Sequence, residues 1–132
     1  MRAKNCEGPN LDCSNIRCLA HFDFFDFRVV DKTTGEDLVF GPSPRYNTND
    51  IKLFFDQART LPMHIQFDQA KKNIQTADAK EVMYLEVKGN SVYKLETVFK
   101  LNDCCSNRVK TVWLNGRMLC SCCQDVVALP ID

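Results

Sequence analysis

The chain has 132 residues, with seventeen basic and seventeen acidic side chains and a formal net charge of zero. That length fits a single domain, and the charge balance argues against a nucleic-acid partner, which needs a basic excess to displace counterions from phosphate. No apolar run approaches the roughly 18 residues of a membrane-spanning helix, and no Lys/Arg run forms a membrane-surface patch. The opening residues MRAKNCEGPN lack the apolar stretch of a signal peptide, so export implies that Met1 follows a removed leader.

Residues 1–20 are polar, cysteine-rich and full of turn formers (EGPNLDCSN), which predicts an irregular arm packed on a single domain spanning 21–132. HFDFFDFRVV, residues 21–30, begins as a strand in which Phe22 and Phe24 alternate with Asp23. It then changes phase to Phe25, Phe27 and Val29. Either a β-bulge near Phe24-Phe25 or burial of both faces accounts for the slip. DKTTGED is a turn with Gly35 free to take positive φ, LVF a short strand, and GPSPRYNTND (41–50) a surface loop with two prolines. IKLFFD reads as a strand. MHIQF alternates, predicting Met63, Ile65 and Phe67 inward and His64 and Gln66 outward. Residues 68–81, DQAKKNIQTADAKE, favour helix by composition but offer little apolar face, which predicts a helical turn or a long connection.

Two hairpins follow. Between EVMYLEV and SVYKLETVFKL, a two-residue Gly89-Asn90 turn would set Leu85 opposite Lys94. A three-residue Lys88-Gly89-Asn90 loop sets Leu85 opposite Tyr93 and Met83 opposite Leu95. Matching like with like selects the longer loop. In VKTVWLNGRMLC, Asn115-Gly116 is the strongest hairpin signal in the chain. A two-residue loop there sets Trp113 beside Met118, Thr111 beside Cys120 and Val109 beside Cys122, with Cys120 and Cys122 on one face and Cys123 on the other. Regular turn signals and scarce helix predict an all-β fold, an antiparallel β-sandwich of about seven or eight strands, immunoglobulin-like or transthyretin-like. A partly open barrel is the other arrangement.

The eight cysteines, Cys6, Cys13, Cys18, Cys104, Cys105, Cys120, Cys122 and Cys123, form one cluster near each end of the chain. An even number in so short a chain suggests a disulfide framework of unreadable connectivity. Bridging within the adjacent pairs Cys104/Cys105 and Cys122/Cys123 conflicts with the ~5.5 Å between Cα atoms of an ordinary bridge. Three cysteines lie in one cluster and five in the other, so complete pairing needs at least one bridge between clusters. That bridge closes a loop of about 85 residues or more, worth ~4 kcal/mol in the chain-entropy model. Zinc is the rival, but neighbouring cysteines are spaced C-C, C-x-C and C-C with no histidine nearby, and adjacent thiolates on a strand diverge. Redox catalysis is disfavoured because counting between neighbouring cysteines gives no C-x-x-C and nothing beside them lowers a thiol pKa. Staples are the stronger reading, and they imply an oxidising compartment.

VVDKTTGEDL, residues 29–38, resembles the first-hairpin turn of carboxypeptidase regulatory-like (transthyretin-like) β-sandwich domains. The whole chain, with its cysteine-rich start and TGEDL-type turn, also resembles uncharacterised small bacterial cell-envelope proteins, often lipoproteins. That similarity implies an extracytoplasmic location (secreted, periplasmic or as an outer-membrane lipoprotein) and tethering by a lipid on a residue outside this chain. It carries no catalytic residues across.

Enzyme motifs are absent: no nucleophile elbow, zinc-protease helix, phosphate loop or dinucleotide glycine pattern occurs. His21 and His64 are read as solvated side chains. Asp23 and Asp26 fall on opposite strand faces, unsuited to a glycosidase pair. No calcium-binding loop is matched. Arg45 and Tyr46, on the proline-stiffened loop, are the candidate contacts for a protein or glycan partner, since a planar guanidinium and an aromatic ring cost little entropy to order. The plainer reading tucks Tyr46 under that loop. Trp113 is read as core in preference to a stacking platform. The expectation is a non-catalytic, secreted or envelope-anchored binding or structural module without cofactor or metal. A metal-binding or thiol-active protein using the Cys104–Cys123 cluster is the alternative.

Overall fold

The phenylalanine-rich stretch after the arm forms one unbroken strand, β1 (Phe22–Asp31), in a computed structural model that describes residues 8–89 and 91–132. Cys6, and Asn90 of the predicted three-residue loop, lie outside the described residues. The pairing of β1 with its neighbours runs without a register shift. Its phase change therefore reflects burial on both faces. Phe25, Phe27 and Val29 enter the core, while Asp26 and Val30 are buried on the opposite side.

Eight more strands follow: β2 (Ile51–Phe54), β3 (Gln66–Asp68), β4 (Asn73–Thr76), β5 (Val82–Val87), β6 (Ser91–Asp103), β7 (Ser106–Leu114), β8 (Arg117–Cys120) and β9 (Val126–Ile131). They form one sheet, in the order β2-β5-β6-β7-β1-β4-β3, with β8 added to β7 and β9 added to β1. The fold is all-β, as the pattern predicts. The sheet, however, is mixed where a purely antiparallel one was expected, because β1 pairs in parallel with both β7 and β9. It curls into a half-barrel around a core that includes Phe27, Ile74, Leu85, Leu95 and Leu129. Fully burying a side chain of this size contributes about 1.5–3 kcal/mol.

Both predicted hairpin turns form. Leu85 faces Tyr93 and Met83 faces Leu95. Asn115 and Gly116 take positive φ, 50° and 83°, the conformation a two-residue hairpin turn demands. Trp113 faces Met118 as expected, but a register shift after Val112 sets Cys120 against Val112, not Thr111. In the MHIQF stretch Met63 is buried and His64 and Gln66 are exposed, although only Gln66 and Phe67 lie within a strand.

Three local expectations differ. Residues 68–81 contain β4, which pairs with β1 and β3. Its sequence NIQT has a single aliphatic residue, and tertiary pairing overrides local preference there. LVF is a turn: the Asp37 carboxylate accepts hydrogen bonds from the Val39 and Phe40 amides, and Leu38 and Val39 are buried beneath. The loop 41–50 contains a short 3-10 turn, Thr48–Asp50, closed by a reciprocal cap between Asn47 and Asp50. The C-terminal VVALPI, β9, was not singled out by pattern. It contains Pro130, tolerated because β9 has only β1 as a partner among the described residues.

Candidate functional site

Two ends of the β1–β7 pair differ in chemistry. At the first, β1 and β7 are hydrogen-bonded from Phe22/Ser106 to Phe24/Arg108, and the Phe22 amide donates to the Cys105 carbonyl at 3.1 Å. Cys104 and Cys105 form the turn from β6 to β7. Cys13 bridges to Cys104 and Cys18 to Cys105, across 91 and 87 residues. The cluster-to-cluster bridge demanded by odd counts is thus present twice among the described residues. The arm lies flush on β6: a Cβ on Gly8 would come within 2.0 Å of the Leu101 carbonyl oxygen.

The third described bridge is local. Cys120 and Cys123 are joined across three positions with Cα atoms 5.1 Å apart. This is a C-x-x-C spacing that counting only between neighbouring cysteines passes over. The expected face-sharing of Cys120 with Cys122 is replaced by this bond, because the register shift in β7–β8 and the chain's departure from β8 after Cys120 reorient the tail. Cys122 is also disulfide-bonded, and no cysteine among the described residues is free. No group of three metal-ligating side chains assembles among the described residues.

Beyond Phe24 and Arg108, β1 and β7 separate. Two edges of the sheet follow from which residues pair. On one edge of β1 lies β4, and on the other lie first β7 and then β9. One edge of β7 is covered by β6 along its length, and the other meets first β1 and then β8. The sheet therefore forks, with β8 on one branch and β9 on the other. Their remaining edges have no strand partner among the described residues.

Two clefts lie along this fork and meet at Leu119. The larger, about 630 Å³, has Leu114, Leu119 and Ile131 in its lining and Lys32, Tyr93 and Arg117 around it. The smaller, about 380 Å³, is bounded by Cys120, Cys122 and Val126–Ala128. Lys32 Nζ donates to the Asp132 carboxylate at 2.7 Å. That hydrogen bond raises the ammonium pKa, while the nearby Arg117 charge opposes the shift. Two cations thus face one side-chain carboxylate at the wide mouth of the fork.

The other candidates are placed as follows. Arg45 donates to Asp31 at 2.8 Å, and Tyr46 is half-buried against the core. Both backbone amides of this pair donate to the Leu38 carbonyl, so loop 41–50 is tied to the first turn. Asp31 also accepts from the Thr34 and Thr33 amides, which holds its carboxyl below the ordinary value. His21 and His64 are exposed, and neither enters a hydrogen bond or ion pair among the described residues. Asp26 is built into the sheet: Gln75 Nε2 donates to it at 2.7 Å, and Arg108 lies 3.6 Å away while stacking over Phe24. Trp113, expected in the core, is half-buried on the sheet's outer face in a cross-strand row with Val82, Glu96 and Met118.

Sequence reasoning missed the fork because it depends on the unassigned β9 and on parallel pairing, which leaves no hairpin signal. The alternation of Val127, Leu129 and Ile131 was the available clue. Comparison with protein families, curated proteins and solved structures finds no match. The three described disulfides point to an oxidising, extracytoplasmic environment, and no helix among the described residues is long and apolar enough to cross a membrane.

Proposed function

We propose that this chain is a non-catalytic binding or structural module of the cell exterior or cell envelope, held to a membrane by a lipid and engaging a protein or glycan partner. The observation that carries this reading is the pairing of a rigid, doubly bridged end with an open, apolar-floored fork. Scaffolds that bind without chemistry need a fixed framework and an accessible concave surface. On this reading the two arms of the half-barrel act as the layers of a β-sandwich, their inner faces meeting at Phe27, Leu85, Leu95 and Leu129. The exposed, unpartnered histidines also favour binding over catalysis. Thiol titration of denatured, unreduced protein tests the framework. No titratable thiol is expected; eight thiols with stoichiometric zinc or copper by elemental analysis would replace the module with a metal protein.

A second reading rests on one observation, the C-x-x-C bridge Cys120–Cys123. Its short ring and half-exposed Cys120 suit thiol–disulfide exchange with an external dithiol. Limited reduction followed by mass mapping decides it: selective opening of Cys120–Cys123 supports exchange, and simultaneous opening of all bridges removes it.

A further inference from the structure

The fork has a property that an ordinary cleft lacks: both walls are strand edges. In the β1–β9 pair, the Lys32 amide donates to the Ile131 carbonyl, so the odd-numbered residues of β9 point their backbone groups at β1. Alternation then directs the amide of Ala128 and the carbonyls of Val126, Ala128 and Pro130 into the fork. On the other wall, Leu114 and Arg117 flank the two-residue turn as a hydrogen-bonded pair. The next residue, Met118, therefore turns its N–H and C=O away from β7 and into the same space. β8 runs antiparallel to β7, which runs parallel to β1 and β9. The two walls are thus antiparallel to each other, each with donors and acceptors that have no partner among the described residues.

From this geometry we infer that the fork between β8 and β9 receives an extended peptide strand from a partner protein, which hydrogen-bonds to both edges and completes the sheet. Strand addition to one edge is a common recognition mode; here two edges supply roughly twice the backbone pairing. The lining selects the side chains. Leu114, Leu119 and Ile131 beneath the fork call for apolar residues at alternate positions of the peptide. Lys32 and Arg117, opposed among the described lining residues by the Asp132 carboxylate alone, call for a carboxylate at the wide mouth. Pro130 lacks an amide on the β9 wall, which blocks pairing at that point and helps set the register.

The inference rests on the binding-module reading and is tested on the full, oxidised chain with a random decapeptide library. Selected peptides are expected to alternate apolar residues and to carry an acid near one end. Added to ¹⁵N-labelled protein, they are expected to slow hydrogen exchange at both Met118 and Ala128 by at least tenfold. Ala128→Pro, which removes an amide not used by β1, should cost at least tenfold in peptide affinity without shifting the thermal midpoint. Should that variant misfold, Lys32→Glu with Arg117→Glu serves instead, and should exchange the preference for an acidic end for a basic one. Protection of one edge alone, or of neither, overturns the insertion. Met118 and Ala128 amides already protected without peptide mean that the chain fills its own fork. Concentration-dependent protection without peptide means that a second copy does; both overturn the proposal. A glycan or protein that binds while leaving both amides unprotected removes the strand-addition site but keeps the module.

Discussion

The two ends of the β1–β7 pair show how one sheet is kept shut at one place and open at another. At the bridged end, three residue pairs of parallel sheet are backed by Cys13–Cys104 and Cys18–Cys105. At the forked end the same two strands separate, and β8 and β9 cover only one edge each. Parallel pairing here has no short connection to enforce it. The bridges Cys13–Cys104 and Cys18–Cys105 supply the constraint that a tight turn supplies in the neighbouring hairpins.

Removing that constraint should give the largest effect. Replacing all four of Cys13, Cys18, Cys104 and Cys105 by serine is expected to lower stability by roughly 6.5–7.5 kcal/mol, read from the denaturant midpoint. The first bridge closes a ring of about 90 residues (~4.5 kcal/mol), and the second adds only a small ring within the first (~2–3 kcal/mol). Retention of a normal midpoint would mean that the sheet, not sulfur, holds the ends together. Next in size is the core beneath both ends. Phe27, fully buried on β1, is expected to cost about 3–5 kcal/mol as Phe27→Ala, again by chemical denaturation.

At the forked end, Cys120→Ser with Cys123→Ser should cost only about 2 kcal/mol, because the ring it opens is four residues long. A loss as large as that of the long bridges would erase the contrast between the two ends. Acid sharpens the contrast further. Hydrogen bonds from the Cys105 amide and Ser106 hydroxyl hold Asp103 below its ordinary value at the bridged end, as the Thr34 and Thr33 amides hold Asp31 near the other. A carboxyl with depressed folded pKa contributes stability above its unfolded value, near pH 4, and loses it as pH falls through the folded value. The thermal midpoint should therefore fall below about pH 4, and Asp103→Asn and Asp31→Asn should each flatten that fall. Smallest of all is Arg45→Ala. Its ion pair with Asp31 is exposed, exposed pairs contribute little, and the thermal midpoint should stay within error of the parent.

What was legible in the sequence follows from range. Turn chemistry and alternation act over a few residues, so the Leu85–Tyr93 register and the Asn115-Gly116 turn could be read directly. The parity of the cysteine clusters required a long bridge, and two are present among the described residues. β4 escaped because Asn73, Gln75 and Thr76 are polar, yet the strand pairs with β1 on one edge and β3 on the other. Parallel pairing of β1 with β7 and β9 escaped because partners 84 to 100 residues apart leave no mark in the intervening chain. The fork, built from those two pairings, was hidden with them. Cys120–Cys123 was hidden differently: Cys122 between them divided the spacing.

The separation between Cys13 and Cys104 also carries a temporal consequence. A chain made from its N-terminus at about 5–20 residues per second keeps Cys13 and Cys18 without their native partners for on the order of 5–20 s. During that wait Cys6, Cys13 and Cys18 can oxidise with one another. Correct assembly then depends on undoing premature bonds after the last residues arrive, so the yield of native protein is governed by disulfide reshuffling more than by the speed of oxidation.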